Sequence, residues 1–167
     1  SYISSSLATP EFLAERGGIF DTANPQNPLA DHSFVYVPYC TGDNHGGDGV
    51  GDPGIGPQIY NGYRNMELFL SRIVPTFPNV TQVLVTGESA GGYGSALVAD
   101  LVARTFPPGT GLTVIDDSGP PMAPPFLPAC LQQRWRELWG FDTSFLADCG
   151  ASCPNHNEYA VDLAAFL

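Results

Sequence analysis

The stretch Val83-Leu84-Val85-Thr86-Gly87-Glu88-Ser89-Ala90-Gly91 decides how this chain is read. An apolar run runs directly into a G-x-S-x-G pattern, and a strand that delivers a serine to a tight turn before a helix is the context of a nucleophile elbow. The glycines have a steric reason. The serine backbone is held in a strained conformation there, and side chains at Gly87 or Gly91 are expected to collide with the neighbouring strand or helix. Behind the motif, residues 93–104 carry Ala96, Leu97, Ala99, Leu101, Val102 and Ala103 and end at Pro107-Pro108-Gly109, which reads as a helix. A helix starting at Ala90 presents backbone N–H groups beside the serine, where an oxyanion would develop.

Working outward, three apolar runs read as buried strands: residues 33–37, 82–86 and 112–115. Between the first two, residues 58–74 carry Met66, Leu68, Phe69, Leu70 and Ile73 at helical spacing, stopped by Pro75. The resulting β-α-β-α-β series predicts an α/β fold with a parallel sheet, right-handed crossovers and sites at the carboxyl ends of the strands. Three segments should then share one rim: Pro38-Tyr39-Cys40-Thr41-Gly42-Asp43, Gly87 with its motif, and Asp116-Asp117-Ser118-Gly119. Beyond Pro120 a Pro-rich stretch leads to a helix over residues 131–138, with Trp135 and Trp139 on one side, and residues 158–167 form a weakly helical tail. No repeat or linker marks a second domain, so residues 1–167 are read as a single domain.

Composition narrows the function classes. With 43% apolar and 14% charged residues in 167, the chain has enough hydrophobic material for one folded core. Nineteen glycines and sixteen prolines imply long structured loops, which carry sites. The formal charge of −11, with six scattered basic residues, argues against nucleic acid or an anionic membrane surface as a partner. No stretch approaches the roughly 20 apolar residues that span a bilayer. The start Ser1-Tyr2-Ile3-Ser4 has neither an initiator methionine nor a leader pattern, so a leader has been removed or the chain is cut from something longer.

Four cysteines, Cys40, Cys130, Cys149 and Cys153, fit disulfide bonding in an oxidising compartment. Zinc on Cys149, Cys153 and His156 lacks an evident fourth ligand, so no metal is expected. The loop Asp43-Asn44-His45-Gly46-Gly47-Asp48-Gly49-Val50-Gly51-Asp52 is not repeated and has Gly51 where a calcium nonapeptide needs an aspartate, and it lacks the ligand spacing of an EF-hand. It reads instead as a substrate-facing loop, with Asp43 and His45 available to sugar hydroxyls.

A serine nucleophile needs a base and an orienting acid, which in α/β-hydrolases follow the serine in the order acid, histidine. His32 and His45 precede Ser89, and that order disfavours them as the base. Asp117 and His156 follow it and make a formal triad with Ser89. No late strand precedes His156, however, and Asp116 and Asp117 read more simply as a turn and capping pair.

Taken together, Pro38-Tyr39-Cys40-Thr41-Gly42-Asp43, Gly62-Tyr63-Arg64-Asn65, Gly87-Glu88-Ser89-Ala90-Gly91-Gly92-Tyr93-Gly94 and Asp117-Ser118-Gly119 resemble the pectin acetylesterase family, which includes Notum-like carboxylesterases. The resemblance runs from about Gly18 through the tryptophan helix. It implies a partial α/β-hydrolase fold, a parallel sheet between helix layers, and a secreted or cell-surface serine esterase. Ser89 would be the nucleophile, with the Ala90 N–H in the oxyanion hole. The expected substrate is an acylated carbohydrate or other ester, and no cofactor is required. Alternatives are a non-catalytic carbohydrate-binding relative and a lipase or thioesterase. The family's Gly-rich oxyanion loop has no counterpart before Gly18 here, and its triad acid and histidine lie downstream of the DSG segment. The resemblance thus implies an incomplete domain whose acid and base fall beyond these residues, and a Cys40 whose partner lies in the missing early loop.

Overall fold

The structure is a computed structural model, and it describes residues 17–147. It divides into two compact units at Pro38 and Tyr39. In the first, residues 17–38 form a chain of turns that begins with a short 3-10 turn, Gly18–Phe20. Asn27 organises it: its side-chain amide donates to the carbonyls of Ile19 and Asp21, both at 3.0 Å, and its Oδ1 accepts the Leu29 N–H at 2.9 Å. Phe20 and Phe34 pack with ring centroids 5.8 Å apart.

Residues 33–37, expected to form a strand, belong to no strand. The apolar run Phe34-Val35-Tyr36 remains more than one third exposed. A strand is defined by its hydrogen-bonded partner, and no partner strand lies beside this run among the described residues.

The second unit begins with an antiparallel hairpin that periodicity does not reveal, β1 (Gly49–Gly51) and β2 (Gln58–Tyr60), with Val50 opposite Ile59. Helix α1 (Gly62–Thr76) follows, so the segment expected to be helical from residue 58 is strand first and helix after Asn61. Pro75 sits in its last turn rather than stopping it. The chain then forms β3 (Gln82–Glu88), α2 (Ala90–Leu97), α3 (Ala99–Thr105) and β4 (Gly111–Asp117). The last helix is α4 (Ala129–Trp139), closed by Gly140 in the left-handed conformation at φ 70°.

β3 and β4 are parallel, with Val85 opposite Val114 and Glu88 opposite Asp117. Among the described residues they pair only with each other, and α2 lies across both. The result is a mixed α/β arrangement with a two-stranded parallel pair covered by the helix that leaves the serine turn. Val114 and Ile115 keep 37% and 49% exposure, so a three-layer sheet is not formed by these residues.

The core lies on the helical side. Tyr63, Met66 and Leu70 from α1, Leu97, Leu101 and Val102 from the α2–α3 pair, and Trp139, Phe141 and Phe145 are buried. Phe141 and Phe145 meet at 4.7 Å between centroids. Gly46 lets the loop before β1 reach this cluster: a Cβ there would lie 2.7 Å from Leu97 Cδ1 and 3.2 Å from Phe141 Cε1. The interruption between α2 and α3 is confined to Val98, whose N–H still donates to Gly94 O and whose carbonyl still accepts from Val102.

Candidate active site

Ser89 stands between the end of β3 and the start of α2, with φ 57° and ψ −114°. A left-handed φ in a residue with a Cβ is uncommon and costs energy that the surroundings must supply. Three contacts supply it. The Ser89 N–H donates to Asp117 O at 2.8 Å, its carbonyl accepts the Tyr93 N–H at 3.0 Å, and Gly87 allows the chain to double back. A Cβ on Gly87 would overlap the backbone of Gly91, lying 2.7 Å from its Cα. Gly91 itself has open space where a Cβ would go, so the steric requirement expected of both glycines belongs to Gly87 alone.

The hydroxyl-bearing residue is exposed and Ala90 is half-buried beside it. The N–H of Ala90 is the first of α2, where no earlier carbonyl of the helix accepts it. Among the described residues no side chain is hydrogen-bonded to the Ser89 hydroxyl.

The end of β4 forms the neighbouring wall. Asp116 accepts the Gly119 N–H at 2.9 Å, and the exposed Asp117 accepts the Ser118 hydroxyl at 2.8 Å. Ser118 also has a positive φ, 65°. Gly119 is buried against Ser89 O and the Tyr93 amide, and a Cβ on it would overlap both. Gly92 is packed as tightly from the other side, since its Cβ would meet the Asp116 carboxylate and lie 2.8 Å from Asp117 O. These close approaches were not legible from the motif, although the DSG sequence marks where they occur.

Tyr93 continues the rim. Burial, and then the negative charge of Asp116, raise its phenol above the ordinary tyrosine value. Its ring meets Trp135 edge-on at 5.8 Å, and Trp135 stacks on Trp139 at 5.0 Å. The tryptophan helix is thereby tied to the serine helix through aromatic contacts.

Of the pair expected to face substrate, Asp43 is buried and His45 is half-buried. Asp43 has no exposure: Oδ2 accepts the Gly62 N–H at 2.8 Å and Oδ1 the Thr41 hydroxyl at 2.9 Å. Its carboxylate fastens the loop to the start of α1, where Gly62 leaves room that a Cβ would fill. His45, at φ 59°, packs against α2 at Gly94, where a Cβ would lie 2.7 Å from the His45 Cδ2, and 5.0 Å from the Tyr39 ring. Burial lowers its pKa below the ordinary histidine value, and the Asp43 charge opposes that shift.

No disulfide joins Cys40 to Cys130, both exposed, and Cys149, Cys153 and His156 lie outside the described residues. Among the described residues no group of His, Cys, Asp and Glu could hold a metal ion, and no helix is long and apolar enough to cross a membrane.

A family model described as pectinacetylesterase matches residues 1–153. No curated protein and no solved structure matches the chain. That one match covers more than nine tenths of the sequence, including the serine turn, the DSG turn and the tryptophan helix. The chain belongs to the pectinacetylesterase family, a family of carboxylic ester hydrolases.

Proposed function

We propose that this protein is a serine carboxylesterase that removes acetyl groups from O-acetylated polysaccharide of the pectin type. Ser89 is the nucleophile and the Ala90 N–H one donor of the oxyanion hole. The observation that carries this reading is the exposed Ser89 at φ 57°, fixed between β3 and α2. Family membership adds the class of bond, a carboxylic ester, and the acetylated polymer.

In this reading a general base takes the Ser89 proton while Oγ attacks the ester carbonyl. The carbonyl π electrons move to oxygen, and the resulting oxyanion is held by backbone N–H groups. Collapse breaks the bond to the sugar oxygen, which takes the proton from the base and leaves as a hydroxyl, and an acetyl-serine remains. Water repeats the sequence and releases acetate. No cofactor enters any step.

The base is assigned to a histidine after Ser89 in the chain, in keeping with the order of triad residues in α/β-hydrolases. Within this sequence the candidates for base and acid are His156 and Asp117. A partial α/β-hydrolase fold, with a parallel sheet between helices, and a secreted or cell-surface location belong to the same proposal, the location resting on the four cysteines and on the family.

Acetate release from acetylated pectin, compared with hydrolysis of short- and long-chain esters, tests the reading. Preference for the acetyl ester supports it, while preference for long acyl chains points to a lipase. Polysaccharide binding with no hydrolysis and no covalent labelling of Ser89 points to a binding protein that has kept only the fold.

A further inference from the structure

Asp116 and Ser89 do not touch, yet a continuous set of short contacts joins them. The Asp116 Oδ1 accepts the Gly119 N–H at 2.9 Å, closing the turn through Ser118. Gly119 lies against both the Ser89 carbonyl and the Tyr93 amide, the two ends of the first hydrogen bond leaving Ser89. Asp117, inside the same turn, holds the Ser89 N–H on its carbonyl at 2.8 Å. The same Oδ1 of Asp116 faces Gly92 on the serine helix, at the spot a Cβ would occupy. One carboxylate oxygen therefore closes the turn after β4 and lies against the helix after β3.

The conformations on either side give this contact a purpose. Ser89 and Ser118 each follow one member of the paired residues Glu88 and Asp117, and both have a left-handed φ, 57° and 65°. Residues other than glycine hold that conformation only when neighbouring contacts over-determine it. Loss of the Asp116 acceptor would leave Ser118 free to relax toward negative φ, and the Asp117 carbonyl in the same turn would then no longer be held on the Ser89 N–H. Tyr93, whose phenol already senses the Asp116 charge, marks how near that carboxylate lies to the rim.

We infer that Asp116 is a positioning residue for Ser89, acting through the Gly119 N–H and the Asp117 carbonyl as a hydrogen-bond acceptor and not as the triad acid. The inference rests on Ser89 being the nucleophile. It requires an acceptor oxygen at position 116 but no negative charge, so Asp116→Asn and Asp116→Ala should part company.

The test is the rate at which a fluorophosphonate labels Ser89, together with kcat and KM for p-nitrophenyl acetate, in the native protein, Asp116→Asn, Asp116→Ala and Ser89→Ala. Misplacing a nucleophile slows reaction without weakening substrate binding, so Asp116→Ala should lower the labelling rate and kcat by about tenfold or more with KM within about twofold. Asp116→Asn should stay within about threefold of the native rate. Should Asp116→Ala not fold, Asp116→Val takes its place, a strand-compatible side chain with no acceptor for the Gly119 N–H. Native labelling of the Ala or Val variant overturns the inference and leaves the nucleophile assignment intact. Equal loss in Asn and Ala overturns it too, because charge would then be what matters. Absence of labelling in the native protein overturns the nucleophile assignment and the inference with it.

Discussion

The Ser89 N–H donates to the Asp117 carbonyl at 2.8 Å, so the serine turn after β3 is fastened to the end of β4 by backbone alone. Glu88 and Asp117 are paired in the parallel register, and the chain turns off both strands at the same level. The candidate nucleophile is thus placed by two strand ends acting together. The absence of a Cβ at Gly87, Gly92 and Gly119 lets the backbones approach, and the Asp116 carboxylate accepts the Gly119 N–H.

The glycines of the motif should separate under substitution. Gly87→Ala places a methyl group on the Gly91 backbone and should destabilise the protein by about 1–3 kcal/mol, the range for forced backbone strain. Gly91→Ala meets open space inside a helix and should be neutral or stabilising by up to about 1 kcal/mol, as expected for removing glycine from a helix. Urea denaturation of the two variants measures the difference. Equal destabilisation would contradict the geometry at Gly91.

Asp43 should behave as a structural anchor. Asp43→Ala leaves the Gly62 N–H and the Thr41 hydroxyl without their acceptor in a buried place, which should cost about 2–3 kcal/mol for lost hydrogen bonds to a charged group. Chemical denaturation reads this directly. If the variant is as stable as the native protein but binds polysaccharide less well, Asp43 faces a substrate after all.

His45 predicts a pH dependence. Its folded-state pKa lies below the ordinary value, so the unfolded chain takes up the proton first as pH falls. Stability attributable to His45 is therefore complete above about pH 6.5, the unfolded histidine value, and declines as pH drops toward the lowered folded value. Carboxylates that lose folded-state interactions contribute only at lower pH. His45→Asn, which tolerates a positive φ, should flatten the slope of melting temperature between about pH 6.5 and 5.5 relative to the native protein. An unchanged slope would place the titration elsewhere.

What could be read from the sequence follows from where the signal resides. Val83-Leu84-Val85, the glycine at 87 and the helix-forming run after Ala90 are all local, and each agrees with the others, so the strand, turn and helix around Ser89 were legible. β4 was legible for the same reason. The run Phe34-Val35-Tyr36 has strand composition, yet pairing is a property of two segments, and composition names only one. The hairpin of Gly49–Gly51 and Gln58–Tyr60 escaped because three-residue strands rich in glycine offer almost no alternation to detect. In the site, Asp43 looked available because polar loops usually face water. Its burial depends on Gly62, nineteen residues away, which no local pattern signals. The part played by Asp116 is hidden similarly, since its contacts with Gly92 and Gly119 arise only when β3 and β4 lie side by side.

The central claim is that Ser89 is an esterase nucleophile, and acetate release by Ser89→Ala tests it most directly. With folding verified by circular dichroism, the variant should lose acetate release from acetylated pectin by about 10⁴-fold or more, as removal of a serine nucleophile does elsewhere. Acetate release at the native rate by a folded Ser89→Ala protein would contradict the account.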